Sequence, residues 1–193
     1  MPTIAAALDS RSFSALKEER VTLSGQIPSP YSKPDVNPKQ ISQDCANALY
    51  LGLLCAFAQG MAVIASASAE YEWKLNLAEI VRIWKGGCII RGKILSRIEE
   101  AFNRRPDLPT LLMDEYVTNE ISARHGSLRR ISTLAIAWAL PCPALLSCVG
   151  YIDSMACPRL PTFLIQAQRD FFGAHTYERT DRSGSFHTHW NSM

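Results

Sequence analysis

The sequence predicts an all-α fold on three observations. Apolar residues recur at helical intervals, as in the stripe Ile90, Ile94, Ile98 and Phe102, which steps by four. Glycine and proline stand at the ends of such segments, for example Pro106 after the stripe. Val, Ile and Thr never alternate cleanly over the length of a strand. We therefore expect a helical domain with an extended C-terminal tail and no Rossmann-type parallel sheet.

The opening of the chain, residues 2–21, is predicted as one helix. Asp9 or Ser10 has the short polar side chain that caps a helix start. Prolines and serines between Ser24 and Asn37 then predict a loop.

A long uncharged segment follows, beginning after a predicted helix start at Asn37 and Pro38. No charged residue occurs from Cys45 to Ala69, a length that raises the question of a membrane span. Alanine dominates the segment, and polar residues interrupt it. It therefore favours a central helix of a soluble protein, buried on most sides, with no membrane involved.

Further helices are predicted towards the C-terminus. Asn76 and Glu79 have the spacing of a capping box and start one of them. Two more are expected over residues 111–125 and 127–139, and a last one from Pro161 to Gly173. Gly173 is expected to close that helix in the left-handed conformation.

Composition excludes several classes of protein. A hydrophobic content of 47% and a charged content of 20% describe a folded chain. A net charge of +2 with mixed signs does not indicate nucleic-acid binding. The six cysteines show no CxxC spacing, and no secretory signal is present, so we expect reduced thiols and a cytoplasmic protein. His187 and His189 lack further ligands at matching spacing, so no metal site is expected.

A candidate anion site lies at the end of the last predicted helix. Arg169 is expected in its last turn and His175 just past its end, where a chain reversal can bring the two together. A guanidinium and an imidazole suit a phosphate or a carboxylate. The alternative from spacing alone is that Arg169 pairs with Asp170 or caps the last carbonyls, while His175 is an ordinary surface residue.

Three segments carry a resemblance to a known family. They are Ile165–Asp170 with Phe172–Glu178, then Trp84–Arg91 (Trp-Lys-Gly-Gly-Cys-Ile-Ile-Arg), and Asp9–Val21. Together they resemble the C-terminal half of decarboxylating 6-phosphogluconate dehydrogenases, the NADP-dependent enzymes of the pentose phosphate pathway. The resemblance extends from Pro2 to Trp190.

The resemblance implies roles for three residues. Arg11 matches an arginine that binds the substrate phosphate, and an ordinary salt bridge is the alternative for it. Arg169 and His175 match residues that reach into the site of a partner subunit. The resemblance thus implies 6-phosphogluconate as ligand, a homodimer, a helical domain over 1–177 and a tail over 178–193 that reaches the partner.

The same resemblance also implies which functional parts of the family's enzyme these 193 residues do not supply. No Gly-rich dinucleotide fingerprint occurs in the 193 residues. The family's catalytic lysine and glutamate precede the first matching position. We therefore expect no catalytic residues and no NADP binding by this chain alone. Two alternatives remain open: a non-catalytic helical relic that assembles with itself or with a full-length enzyme, and a helical binding module for a phosphorylated or carboxylate ligand.

Overall fold

The computed structural model describes residues 1–31 and 35–190. They form helices and one pair of two-residue strands near the C-terminus, which confirms the all-α prediction. The elements are α1 (Pro2–Phe13), α2 (Lys17–Gln26), α3 (Pro38–Glu70), α4 (Leu77–Trp84), α5 (Lys93–Arg104), a 3-10 turn (Leu111–Met113), α6 (Glu115–Ala137), α7 (Pro143–Ala156), α8 (Phe163–Gly173), β1 (Tyr177–Glu178) and β2 (Ser185–Phe186).

The chain divides into two compact units, Met1–Ile152 and Asp153–Met193, which are described separately. In the first unit, α3 packs along α6, and α4 packs against α5. Apolar side chains from these helices form a single core, in which the largest fully buried members include Leu51, Leu54, Leu95, Ile98 and Leu128.

The central helix α3 is buried on one face only. Leu51, Leu54 and Ala58 recur at helical spacing and are no more than 1% exposed. Leu49 and Leu53, on the other side, are 64% and 48% exposed. The expectation of burial on most sides is therefore wrong for this chain by itself. By length and composition α3 could also cross a membrane, a test that core helices of soluble proteins pass as well.

The predicted opening helix is two helices, α1 and α2. The chain breaks at residues 14–16, where the Ser14 hydroxyl donates to the carbonyl of Arg11 at 2.6 Å. The Phe13 carbonyl at the end of α1 accepts from the Leu16 N–H at 3.2 Å and from the Arg20 guanidinium at 3.1 Å. Asp9 and Ser10 are not caps, because α1 begins at Pro2 and the Ser10 hydroxyl bonds back to Ala6.

Two predicted helix starts are confirmed by their caps. The Asn37 side chain accepts from the backbone N–H of Lys39 at 3.0 Å, and Asn76 accepts from that of Glu79 at 3.2 Å.

The two helices predicted over 111–139 are mostly one, because α6 runs through Gly126 without a break. A glycine inside a helix costs about 1 kcal/mol relative to alanine. The packing of α6 on α3 outweighs that cost.

The second unit consists of the end of α7, α8 and a tail that forms a small hairpin. Tyr177 pairs with Phe186, and Glu178 pairs with Ser185, in antiparallel register. No strand is expected from the sequence, so these two short strands are a correction. A pattern of two residues is too short for alternation to reveal.

Candidate functional site

Arg11 lies on the exposed surface of α1, in the last turn of that helix. Within residues 1–31 and 35–190, its guanidinium has no hydrogen-bond or ion-pair partner. The alternative role for Arg11, an ordinary salt bridge, is therefore not formed within these residues. The side chain therefore keeps all of its donors available for an anion.

A buried hydrogen-bond pair attaches the start of α1 to α3. The backbone N–H of Thr3 donates to Gln59 Oε1 at 3.0 Å, and Gln59 Nε2 donates to the Thr3 hydroxyl at 2.8 Å. Thr3 is the buried residue of α1, and Gln59 is 3% exposed. This pair fixes the helix that carries Arg11. The sequence carries one indication of this pair. Gln59 is an amide within a long apolar helix, and a buried polar group needs a hydrogen-bond partner.

Arg169 lies on the exposed side of α8. The last turn of α8 contains no basic residue, so Arg169 lies about one turn earlier in the helix than the sequence predicts. In the described part of the chain its guanidinium makes no hydrogen bond or ion pair. The alternative pairing with Asp170 is not formed, since the Asp170 carboxylate turns inward and bonds other groups.

The helix end before His175 differs from the prediction in one detail. Ala174 adopts the left-handed conformation with φ 49°, whereas Gly173 is the last helical residue. Glycine at 173 leaves room for the His175 side chain. The imidazole of His175 folds back over this position, so that an added Cβ would lie 2.9 Å from His175 Nε2.

Arg169 and His175 share one side of α8. Residues four apart lie on the same helix face, so Arg169 and Gly173 point the same way. The imidazole covers the place where a Gly173 side chain would start. The predicted convergence of the Arg169 and His175 side chains stays a prediction.

Asp170 is a buried carboxylate that binds four donors, although its neighbours in α8 are exposed. Oδ1 accepts from the Thr176 N–H at 3.0 Å and lies 2.9 Å from His187 Nδ1. Oδ2 accepts from the Thr188 N–H and from the Trp190 indole N–H, both at 3.0 Å. Sequence reasoning missed this residue, because its partners are spread along the tail.

The surroundings of Asp170 decide its ionisation. Burial alone would raise its pKa. The hydrogen bonds from the Thr188 backbone and from the His187 and Trp190 side chains outweigh burial and lower the pKa to about 2. The group is therefore a carboxylate at neutral pH and accepts from every donor around it.

Two cavities flank α8. One, of about 470 Å³, is lined by residues 170–174 and 187–190, including His187 and His189. The other, of about 630 Å³, lies between α8 and the hairpin and is lined by Glu178 but by no lysine or arginine. The first offers the ring nitrogens of two histidines as possible hydrogen-bond donors, next to the Asp170 carboxylate.

The potential metal ligands of residues 1–31 and 35–190 do not cluster. These residues contain no group of three or more His, Cys, Asp or Glu side chains placed to hold a metal ion. His187 is instead a partner of Asp170, and its ring lies edge-on to that of His189. All six cysteines are free thiols.

Comparison with known proteins decides the family. A family model described as "6-phosphogluconate dehydrogenase, C-terminal domain" matches residues 1–190. The chain belongs to the 6-phosphogluconate dehydrogenase family.

Several relatives of this family are similar over nearly the whole chain. The NADP(+)-dependent, decarboxylating 6-phosphogluconate dehydrogenase of Bacillus subtilis (strain 168) is 45% identical over 98% of this chain. The decarboxylating enzyme 1 of Spinacia oleracea is 46% identical over 98%. A solved Plasmodium falciparum 6-phosphogluconate dehydrogenase, described in its apo form and with NADP+ or 6-phosphogluconate, superposes with a TM-score of 0.90 at 39% identity, covering 98% of this chain.

The match covers only part of each relative. The chain spans 41% of the Bacillus subtilis protein, 40% of the Spinacia oleracea protein and 41% of the Plasmodium falciparum chain. It corresponds to the C-terminal helical domain of the 6-phosphogluconate dehydrogenase family. Some relatives, such as one from Oryza sativa, are named as chloroplastic enzymes.

Proposed function

We propose that this chain is the substrate-binding and dimerising part of an NADP-dependent, decarboxylating 6-phosphogluconate dehydrogenase. That enzyme oxidises and decarboxylates 6-phosphogluconate to ribulose 5-phosphate. In this proposal Arg11, Arg169 and His175 hold the phosphate of the substrate. The observation that carries it is that both guanidinium groups, at the positions matching the family's phosphate binders, are exposed and without partners in the described part of the chain.

The chemistry of these side chains suits a phosphate. A guanidinium gives two parallel charge-assisted hydrogen bonds to phosphate oxygens. The imidazole at 175 adds a third donor through a ring N–H.

Assembly completes the proposed site. Arg11 of one protomer meets Arg169 of the partner subunit and His175 of the partner subunit, as the family resemblance implies. Arg11 and the pair formed by Arg169 and His175 belong to different compact units of the chain, which is compatible with a site shared between two copies. The tail over 178–193 accompanies the pair into the partner.

The redox chemistry of the proposed enzyme belongs to other parts of the full-length protein. NADP and the catalytic acid and base are held outside the segment that this chain matches. Its own contribution is the phosphate site and the helical body that supports the dimer, in the cytoplasm.

Calorimetry with 6-phosphogluconate tests the site on a chain whose oligomeric state has been measured. Arg169→Ala should weaken binding by about 10- to 100-fold, because it removes a charge-assisted pair of hydrogen bonds. Arg159→Ala is the matched control, since Arg159 is also exposed and lacks a side-chain partner in the described residues but lies outside the matching motif. Equal affinity for wild type and Arg169→Ala would remove Arg169 from the site.

Mixing two variants tests whether the site is shared. Arg11→Ala and Arg169→Ala each disable both sites of a homodimer. After subunit exchange, mixed dimers regain one intact site, so about one site in four should bind in an equal mixture. A site built within a single chain would regain none, and that result would reject the shared arrangement.

A further inference from the structure

We propose that Asp170 is a positioning residue for the anion site, because it fixes both the turn that carries His175 and the tail that closes over α8. This inference rests on the proposed role of Arg169 and His175 in binding phosphate. Asp170 itself does not touch the anion.

Asp170 holds the chain on both sides of His175. Its backbone carbonyl accepts from the Ala174 N–H at 2.9 Å, and its carboxylate accepts from the Thr176 N–H at 3.0 Å. The left-handed conformation of Ala174 lies between these two bonds. His175 is thereby held at a defined place relative to α8, with its ring over Gly173.

The same carboxylate ties the tail to the helix. His187, the backbone of Thr188 and the indole of Trp190 all bond its two oxygens. The Trp190 ring also packs edge-on against Phe171, with centroids 6.0 Å apart. The turn and the tail are therefore ordered by one group, and loosening that group loosens both.

The buried position of the Asp170 side chain also affects its neighbour in the chain, Arg169. An exposed aspartate beside an arginine would compete with an anion for the guanidinium. Here both carboxylate oxygens are occupied by donors from the turn and the tail, and the side chain is fully buried. Arg169 is thus left available for a ligand.

Replacement of Asp170 by asparagine tests the role with little change in shape. An amide nitrogen cannot accept a hydrogen bond, so the donors that face one of the two oxygens lose their acceptor. The turn around His175 or the tail must then open. We expect Asp170→Asn to weaken binding of 6-phosphogluconate to the 193-residue chain by about 10-fold or more.

Asp44→Asn is the matched control for general destabilisation. Asp44 is also a buried carboxylate, 3% exposed, and it accepts from Ser127 and Arg130 between α3 and α6. It lies in the first unit and holds no part of the turn. Measured on the folded fraction, Asp44→Asn should change affinity by less than about 2-fold. An equal loss in both variants would overturn the positioning role.

Hydrogen exchange provides a readout that needs no ligand. The amides of Thr176 and Thr188 should be protected in the wild type and should exchange at least about 10-fold faster in Asp170→Asn. Unchanged protection would overturn the proposal. If the wild type does not bind 6-phosphogluconate, the proposed function fails, and exchange alone then decides whether Asp170 holds the turn.

Trp190→Phe covers the case in which Asp170→Asn fails to fold. It removes one donor to Oδ2 and keeps an aromatic ring against Phe171. The Thr188 amide should then exchange about 3-fold faster or more, with a smaller loss of affinity than for Asp170→Asn. Wild-type exchange at Thr188 in this variant would contradict the inference.

Discussion

At the scale of single residues, the ionisation of Asp170 should make the second unit sensitive to acid. Its pKa is about 2 in the folded chain, below its ordinary value of 3.8, so its stabilising effect is complete above about pH 4. That effect is lost as pH falls through the folded-state value. The indole N–H resonance of Trp190 should therefore stay unchanged down to about pH 4 and move at lower pH.

The matched variant isolates the cause of that titration. Asp170→Asn has no carboxylate at this place, so its Trp190 resonance should lack the transition. The pKa of Asp44 is also depressed, by its hydrogen bonds from Arg130 and Ser127, so global unfolding is a poorer probe than the indole signal. A wild-type midpoint at or above the ordinary value would contradict the prediction.

The hydrogen-bond pair between Thr3 and Gln59 predicts a second effect at this scale. Gln59→Leu leaves the buried Thr3 N–H without a partner and leaves the Thr3 hydroxyl only the Cys148 thiol, 3.6 Å away, which should lower the free energy of unfolding by about 1–3 kcal/mol. Urea denaturation measures the change. Gln43→Leu, at an exposed position of the same helix, should cost less than about 0.5 kcal/mol. Equal costs for the two would show that the buried pair contributes nothing.

The residues of the candidate site differ in how far the sequence predicts them. Arg11, Arg169 and His175 follow from motifs in which residue types recur in a fixed order. Asp170 does not, because its donors lie 6 to 20 positions further along the chain and meet only when the tail folds back. Sequence spacing carries no information about such a closure.

At the scale of elements, α8 predicts a variant that separates stability from binding. Gly173→Ala places a methyl group where the His175 imidazole lies, 2.9 Å from its Nε2. Gly173 is helical, so alanine raises helix propensity by up to about 1 kcal/mol, while the exposed imidazole can swing away.

The expected outcome is an unchanged or higher melting temperature together with weaker binding of 6-phosphogluconate. Calorimetry and thermal unfolding on the same preparation measure the two quantities. Ala167→Ser, in the body of α8, serves as a control substitution of similar size. Full affinity in Gly173→Ala would mean that the position of the imidazole over α8 is irrelevant to the anion.

Helix starts were predictable where a side chain caps them, as at Asn37 and Asn76. Helix breaks were harder to predict. The break after Phe13 lies where the Arg20 guanidinium reaches back to the Phe13 carbonyl, and the continuity through Gly126 depends on packing against α3. Both are tertiary effects that override local propensity.

At the scale of the whole molecule, the chain should not oxidise 6-phosphogluconate with NADP by itself. The matching segment contains the proposed phosphate site but no dinucleotide fingerprint, and the family's catalytic acid and base precede it. NADPH fluorescence on the purified chain should stay at background, with a full-length family member as the positive control. Sustained NADPH formation by the chain alone would show that the assignment of roles is wrong.

The organisation of the whole chain was only partly predictable. The helical class followed from periodicity, and the uncharged segment correctly indicated the central helix α3. Its exposed apolar face was not foreseen, because composition cannot distinguish contacts within a chain from contacts between chains. The division into two compact units does not test the boundary between helical domain and tail that is predicted at residue 177. That boundary stays a prediction.

The partners of Asp170 also have a practical consequence for handling the protein. Three of its four donors lie within residues 187–190, at the end of the described chain. Carboxypeptidase trimming past His187, or a truncated expression clone that stops there, would leave a buried carboxylate with one hydrogen bond. Mass spectrometry of the intact C-terminus should precede any measurement of ligand affinity.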